Sequence, residues 1–102
     1  MQTVIHQPRV AWDGARAFVR AAGSPDYEVF AARVHSRLGG EVYGAFADTR
    51  RRLLTAFVET GGDRYASDVE AGRWRVRLED LLYARPGLIE AVRDLTAEAA
   101  LL

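Results

Sequence analysis

Hydrophobic residues recur at helical spacing along almost the whole chain, and glycine or proline residues interrupt the pattern. Apolar positions three and four residues apart place their side chains on one face of a helix. Helices commonly end where glycine or proline breaks the pattern. The pattern therefore predicts an all-α protein, a compact bundle of four to five helices in a single domain over 1–102. The predicted helices cover about 8–22, 25–38, 41–60, 68–84 and 87–100.

The third predicted helix has the widest apolar face in the chain, because a second stripe of apolar residues runs beside the first. A helix that is apolar over much of its circumference is expected to be buried on several sides. We therefore predict that the third helix lies at the centre of the bundle. The two stripes are Val42, Phe46, Leu53 and Phe57, and Tyr43, Ala47, Leu54 and Val58.

The fourth predicted helix starts with the S-x-x-E signature of a capping box. In this motif Ser67 would accept a hydrogen bond from the third helical amide, and Glu70 would reach back to the Ser67 amide. Residues 73–78 alternate between polar and apolar, so they also fit an amphipathic strand. We favour helix, because the capping box precedes this segment and Glu-Asp-Leu-Leu continues it.

The fifth predicted helix follows Arg85-Pro86-Gly87 and carries an apolar seam at 4-3-4-3 spacing, which is too short for a coiled coil. Exposed apolar residues in a cluster favour burial by the protein itself or by a partner. For Leu101 and Leu102 the sequence leaves both alternatives open. The seam consists of Leu88, Val92, Leu95, Ala99 and Leu102, with Ile89 beside it. Ahead of the first helix, the β-branched segment Thr3-Val4-Ile5 predicts a loose arm or a lone strand over 1–7.

Composition narrows the function classes. The 102 residues include no cysteine, which removes disulfides, thiol nucleophiles and zinc sites with sulfur ligands. No run of 18 apolar residues and no signal-peptide pattern is present, so a cytoplasmic location is predicted. The formal net charge is zero, from 14 basic and 14 acidic residues, and all of the basic residues are arginine. We attribute this arginine usage to a GC-rich genome rather than to nucleic-acid binding, since a nucleic-acid-binding domain is usually net basic.

Two clusters of arginine residues are candidate binding sites. Arg50, Arg51 and Arg52 would point about 100° apart on a helix and cannot form one patch. Asp48 lies within helical reach of the last two, which predicts surface ion pairs. In the second cluster each arginine has an acidic neighbour at helical spacing, which predicts a self-neutralised surface. The second set of pairs is Arg73 with Glu70, Arg75 with Glu79, and Arg77 with Asp80.

No constellation for catalysis or metal binding stands out in the sequence. His6 and His35 are on different segments, and His35 and Ser36 would point apart on a helix. No serine has a base and an orienting acid at recognisable spacing. The glycine pairs have no lysine to complete a phosphate-binding loop. We therefore predict a non-enzyme without a cofactor or a metal site. Trp12 and Trp74 are predicted to lie in the core, with an interface anchor as the alternative for each.

The two ends of the chain have opposite charge. Residues 1–23 carry a net charge of +2 and residues 87–102 a net charge of −2. Inside one molecule this asymmetry would pair the first helix with the fifth. Between molecules it would favour head-to-tail or reciprocal assembly.

The second half of the chain resembles small uncharacterised helical proteins of high-GC actinobacteria. The shared features are Trp74, then Leu78 and Leu81-Leu82, Pro86, and a leucine-rich final helix. The resemblance covers about 27–98, whereas the first helix, with Arg9 and Asp13, is more polar than in those proteins. It implies an accessory or adaptor protein and no particular activity.

The function predicted from the sequence is a non-enzymatic protein–protein interaction module, a self-associating adaptor or regulatory subunit. Its protein partner is predicted to be a second copy of the chain. The alternative is an arginine-mediated regulator associated with nucleic acid, and a weaker third idea is a small-molecule sensor with an aromatic pocket of Trp12, Phe18, Tyr27 and Phe30. The predicted interface residues are Ile89, Leu95, Leu101 and Leu102 for apolar contact and Arg50, Arg51 and Arg52 for electrostatic selection.

Overall fold

Five α-helices make up most of the computed structural model, which describes residues 6–62 and 64–102. No strand occurs within these ranges, so the predicted all-α fold is confirmed, as is the helical assignment of 73–78. The predicted arm or strand at Thr3-Val4-Ile5 lies outside the described residues. The helices are α1 (Gln7–Ala22), α2 (Tyr27–Leu38), α3 (Gly40–Thr60), α4 (Tyr65–Ala84) and α5 (Ile89–Ala99), with a turn of 3-10 helix at Pro86–Leu88 before α5.

The central helix is α1, and the prediction that α3 occupies this position is wrong. α1 packs most extensively against α4 and α5 and also contacts α3. Its buried face consists largely of alanine and glycine, which allow neighbouring helices to approach closely. At Gly14 an added Cβ would lie 3.0 Å from Leu78 Cδ1 and 3.1 Å from Val92 Cγ1. The small residues of α1, rather than a wide apolar face, therefore decide which helix is surrounded.

Aromatic side chains fill the core around Phe18. The centroid of its ring lies 5.5 Å from that of Phe30, 5.9 Å from that of Phe46 and 5.1 Å from that of Trp74. The contacts with Phe30 and Phe46 are edge-to-face and that with Trp74 is tilted. Aromatic contacts of this kind stabilise the fold beyond the burial of the rings. Because Phe18 and Phe30 pack against each other, they do not line the aromatic ligand pocket that the sequence suggested.

Trp74 is buried as predicted, and its polar atom has a partner. The indole Nε1–H donates to Thr49 Oγ1 at 2.7 Å. The Thr49 hydroxyl in turn donates to the Ala45 carbonyl at 3.0 Å. Thr49 is itself 1% exposed, so this chain of two hydrogen bonds satisfies buried polar groups that would otherwise oppose folding.

Two acidic residues of α5, Asp94 and Glu98, pair with α2. Arg33 Nε donates to Glu98 Oε1 at 2.8 Å, and Arg37 Nη2 donates to Asp94 Oδ2 at 3.0 Å. This pattern of contacts sets α2 and α5 antiparallel. α1 does pack against α5, but no ion pair joins them among the described residues, because Asp94 and Glu98 pair with α2 and Glu90 pairs with Arg93 of α5 itself.

Three helices begin two or more residues away from the predicted start, and one of them, α5, begins at Ile89 rather than at 87, after the turn of 3-10 helix. α4 begins at Tyr65, so Ser67 lies inside its first turn and is not the N-cap. The predicted capping box is wrong because Glu70 is buried and pairs instead with Arg52 of α3, which offers two charge-assisted hydrogen bonds. α2 begins at Tyr27 rather than at 25, since Ser24 Oγ accepts a hydrogen bond from the Asp26 amide in the preceding turn.

Candidate interaction surface

The apolar stripe of α3 begins in the core and emerges into solvent. Val42, Phe46 and Thr49 are buried, Leu53 is half-buried, and Phe57 is 63% exposed. These residues follow one another at intervals of three and four, so they share one helix face. The C-terminal part of this face of α3 therefore borders a space that none of the described helices fills.

That space is an open cavity of about 720 Å³ between α1, α3 and the start of α4. It exists because α3 and α4 contact each other sparsely, whereas each packs on α1. The apolar part of its lining consists of Val19, Leu53, Leu54, Ala56, Phe57, Ala66 and Ala71.

A glycine turn holds Phe57 at the edge of the cavity. Gly61 adopts a left-handed conformation with φ of 72°, and its amide donates to the Phe57 carbonyl at 2.9 Å, which ends α3. At Gly62, where φ is 107°, an added Cβ would lie 3.4 Å from Phe57 Cε2. The aromatic ring thus lies close over backbone that has no side chain.

A second concavity of about 260 Å³ extends the first along α1 and α4 toward Trp12. The two share Arg16, Asp68 and Ala71 in their linings. Trp12 is 43% exposed, so the prediction that it lies in the core is wrong. Two guanidinium groups contact its ring, with Arg16 Cζ 5.5 Å and Arg75 Cζ 5.4 Å from the ring centroid. We call the continuous surface from Phe57 to Trp12 the groove.

Arginine side chains without acidic partners line the groove. Arg16, Arg20 and Arg64 make no ion pair within the described part of the chain. Among the described residues that line the larger cavity, Asp68 is the one acidic residue, so the formal charge of this described part of the lining is +2. Outside the groove, Arg50, Arg77 and Arg85 also make no ion pair among the described residues. The other arginines pair with carboxylates, at Arg9–Asp13, Arg33–Glu98, Arg37–Asp94, Arg51–Asp48, Arg52–Glu70, Arg73–Glu70, Arg75–Glu79 and Arg93–Glu90.

Arg50, the first of the three consecutive arginines, has a structural role in connecting α3 to the end of α1. Its Nη1 donates to the Ala22 carbonyl at 2.9 Å and to the Ser24 carbonyl at 3.1 Å, which ties α3 to the turn after α1. Its guanidinium carbon lies 4.5 Å from the centroid of the Tyr27 ring. These contacts leave Arg50 little freedom to select a partner.

Arg51 and Arg52 point elsewhere, as the helical spacing predicted. Arg51 pairs with Asp48 at 2.7 Å on the surface. Arg52 donates two hydrogen bonds to the Glu70 carboxylate, at 2.9 Å and 2.8 Å, and the Glu70 side chain is 5% exposed. The hydrogen bond to Glu70 raises the pKa of the Arg52 guanidinium above its ordinary value, against the opposing effect of desolvation. Asp48 was predicted to reach both arginines, but the buried Glu70 takes Arg52.

The predicted apolar contact residues of the last helix divide between core and surface. Leu95 is completely buried in the core, so its proposed part in an interface is wrong, and Ile89 is half-buried against the same core. Leu101 is 86% exposed and Leu102 is 46% exposed. Of this predicted set, the last two residues therefore remain available to a partner.

The second arginine cluster is largely engaged within α4. Two of its three arginines have the predicted acidic partners, at Arg73–Glu70 (3.7 Å) and Arg75–Glu79 (3.8 Å). Arg77 lies over the ring of Trp74, with its guanidinium carbon 5.5 Å from the ring centroid, instead of pairing with Asp80. The cluster is therefore occupied mainly by contacts within the helix.

The sequence pattern did not reveal the groove as a site. The second apolar stripe of α3 predicts burial, yet its members Leu54 and Val58 are 48% and 83% exposed. Of these two residues, Leu54 lines the groove.

Comparisons with known proteins found no match to any family model, any curated protein or any solved structure. The resemblance to small actinobacterial helical proteins thus stays a prediction. Within 6–62 and 64–102, no group of three histidine or acidic side chains is placed to hold a metal ion. None of the helices described is long and apolar enough to cross a lipid bilayer.

Proposed function

We propose that this protein is a non-enzymatic protein–protein interaction module that acts as an adaptor or regulatory subunit. The observation that supports this proposal is the groove, in which Leu53, Leu54 and Phe57 continue a core stripe into solvent. Apolar surface of this kind, bordered by charged groups, is typical of binding sites for other proteins.

The proposal includes self-association through the end of α5. Leu101 and Leu102 are both exposed there, directly after the last buried residue of the helix, Ala99. A second copy of the chain that covers the two leucines removes their side chains from water, which is favourable in proportion to the apolar area buried.

Light scattering coupled to size-exclusion chromatography tests self-association over a wide concentration range at physiological salt. We expect a dimer or a larger closed assembly. Replacing both Leu101 and Leu102 with aspartate should give a monomer whose thermal stability is close to that of the original protein. Val29→Asp is the matched control, because Val29 is 68% exposed on α2. A monomeric original protein, or an assembly that survives the double replacement, would refute self-association through this surface.

The alternative function, an arginine-mediated regulator associated with nucleic acid, has less support. Arg50 is bound to backbone carbonyls, and Arg52, Arg73 and Arg75 have carboxylate partners. Contacts with several phosphates would make binding weaken steeply between roughly 50 and 200 mM salt. Steep salt dependence with a duplex probe would favour the alternative over the proposal above.

A further inference from the structure

The shape of the groove fits a helix. Its floor is the face of α3 that is covered by other helices farther upstream, at Phe46 and Thr49. A helix laid along the groove would cover Leu53 and Phe57 in the same way. Helices bind such grooves through apolar residues spaced at i, i+3 or i+4, and i+7. An occupant with that spacing would extend the core packing of α3 toward its end.

The charge of the groove fits an acidic occupant. Arg16, Arg20 and Arg64 are exposed and have no acidic partner among the described residues. Of the described lining residues one is acidic, so the three arginines leave an excess of two positive charges. Carboxylates at the edges of a docked helix would supply the missing partners. Complementary charge of this kind selects among partners and speeds association.

Resting on the function proposed above, we propose that the groove binds an amphipathic α-helix of another protein, with an apolar face and acidic flanks. Phe57 and Trp12 stand at the two ends of the groove and are the expected anchors, since exposed aromatic residues are frequent hot spots of interfaces. The acidic flanks of the helix meet the unpaired arginines. The aliphatic floor at Val19, Leu53 and Leu54 favours a protein over a nucleic acid, whose bases bind best to stacked aromatic rings.

A pair of designed peptides tests the proposal with the full chain. The first is a fluorescein-labelled helix of about 18 residues, or five turns, with leucine at i, i+3, i+4 and i+7 and glutamate at the flanking positions. The second is identical except that lysine replaces every glutamate. We expect the acidic peptide to bind with at least about tenfold higher affinity in fluorescence anisotropy.

Charge-reversed variants locate the site. Arg20→Glu combined with Arg64→Glu should weaken binding of the acidic peptide and invert the preference toward the lysine peptide. Both side chains are exposed and make no ion pair with any residue that the structure describes, so circular dichroism should be unchanged. Arg85→Glu is the matched control, because Arg85 is exposed and lies about 20 Å beyond Ala71 along α4. Phe57→Ser should weaken binding of both peptides, since it removes an anchor rather than a charge.

Several outcomes would overturn the proposal. Equal binding of the two peptides, no binding of either, or no effect of the double arginine variant would each contradict it. Tighter binding of an oligothymidylate probe, lost in the same variant, would assign the groove to nucleic acid instead. A dimer that Phe57→Ser dissociates and the acidic peptide disrupts would assign it to a second copy. Failure of the peptides together with self-association through Leu101 and Leu102 would leave the general function standing and refute the groove partner alone.

Discussion

Replacing Gly14 with alanine should destabilise this protein, although the same change stabilises an ordinary helix. Gly14 is buried where α1 meets both α4 and α5. An alanine Cβ would lie 3.0 Å from Leu78 Cδ1 and 3.1 Å from Val92 Cγ1. Both neighbouring side chains are completely buried, so they cannot retreat without displacing other core atoms.

The expected magnitude follows from two opposing contributions. Alanine is favoured over glycine inside a helix by about 1 kcal/mol. Forcing an extra methyl group into a packed core costs about 1–3 kcal/mol. The free energy of unfolding should therefore fall by up to about 2 kcal/mol for Gly14→Ala. Gly72 is the matched control, because it lies inside α4, is exposed, and has nothing within 4 Å of an added Cβ. Gly72→Ala should raise the free energy of unfolding by about 0.5–1 kcal/mol.

Urea unfolding followed by circular dichroism measures the free energy of unfolding of the original protein and of the Gly14→Ala and Gly72→Ala variants under the same conditions. The helix-propensity gain is common to both variants, so their difference in stability isolates the packing cost at Gly14. We expect this difference to be at least about 1 kcal/mol. Equal stabilisation by the two substitutions would refute the close approach of the three helices at Gly14.

Other predictions concern buried polar groups. Thr49→Val removes the acceptor of the Trp74 indole and should cost about 1–3 kcal/mol in urea unfolding; an unchanged stability would mean that water satisfies the indole. Arg52→Ala leaves the Glu70 carboxylate, whose side chain is 5% exposed, without its two main hydrogen bonds and should cost a similar amount; adding Glu70→Gln should recover part of it, and no recovery would contradict the buried-charge argument. Burial raises the pKa of Tyr27, so the folded state binds the phenol proton more tightly than the unfolded state does. The protonated Tyr27 therefore contributes stability at neutral pH. This contribution is lost as the pH rises from about 10, the pKa in the unfolded state, through the pKa in the folded state. Tyr27→Phe should remove that loss, and an identical alkaline stability profile in the variant would argue against it.

The spacing of apolar residues predicted the helices well, because the residues that share a helix face are close neighbours along the chain. Alternation over 73–78 was ambiguous, and helix was favoured because of the capping box before this segment and the Glu-Asp-Leu-Leu after it. The segment is helical although the capping box does not form. The seam of α5 is buried at Val92, Leu95 and Ala99, as its spacing predicted for a core face. The same spacing could not separate a core seam from an interface seam, which is why Leu95 was assigned to a partner.

Helix starts were predicted less well where a tertiary contact competes with a local one. Ser67 and Glu70 have the spacing of a capping box, but that spacing contains no information about Arg52. Once α3 brings the guanidinium to within 2.8 Å, the carboxylate gains two charge-assisted hydrogen bonds and leaves the helix start. The helix then begins two residues before Ser67, at Tyr65.

The amino-acid sequence by itself determined the helices and the glycine and proline breaks between them. It also showed that Arg50, Arg51 and Arg52 cannot form a single patch. Each of these results follows from geometry along one helix. The tertiary structure decided which apolar faces are covered. Phe57 and Trp12 fit a core pattern as well as Phe46 does, yet they are exposed, because periodicity shows that a face is apolar and not whether another helix reaches it. The groove exists for this reason: small residues bring α4 and α5 close to α1, while α3 and α4 contact each other sparsely.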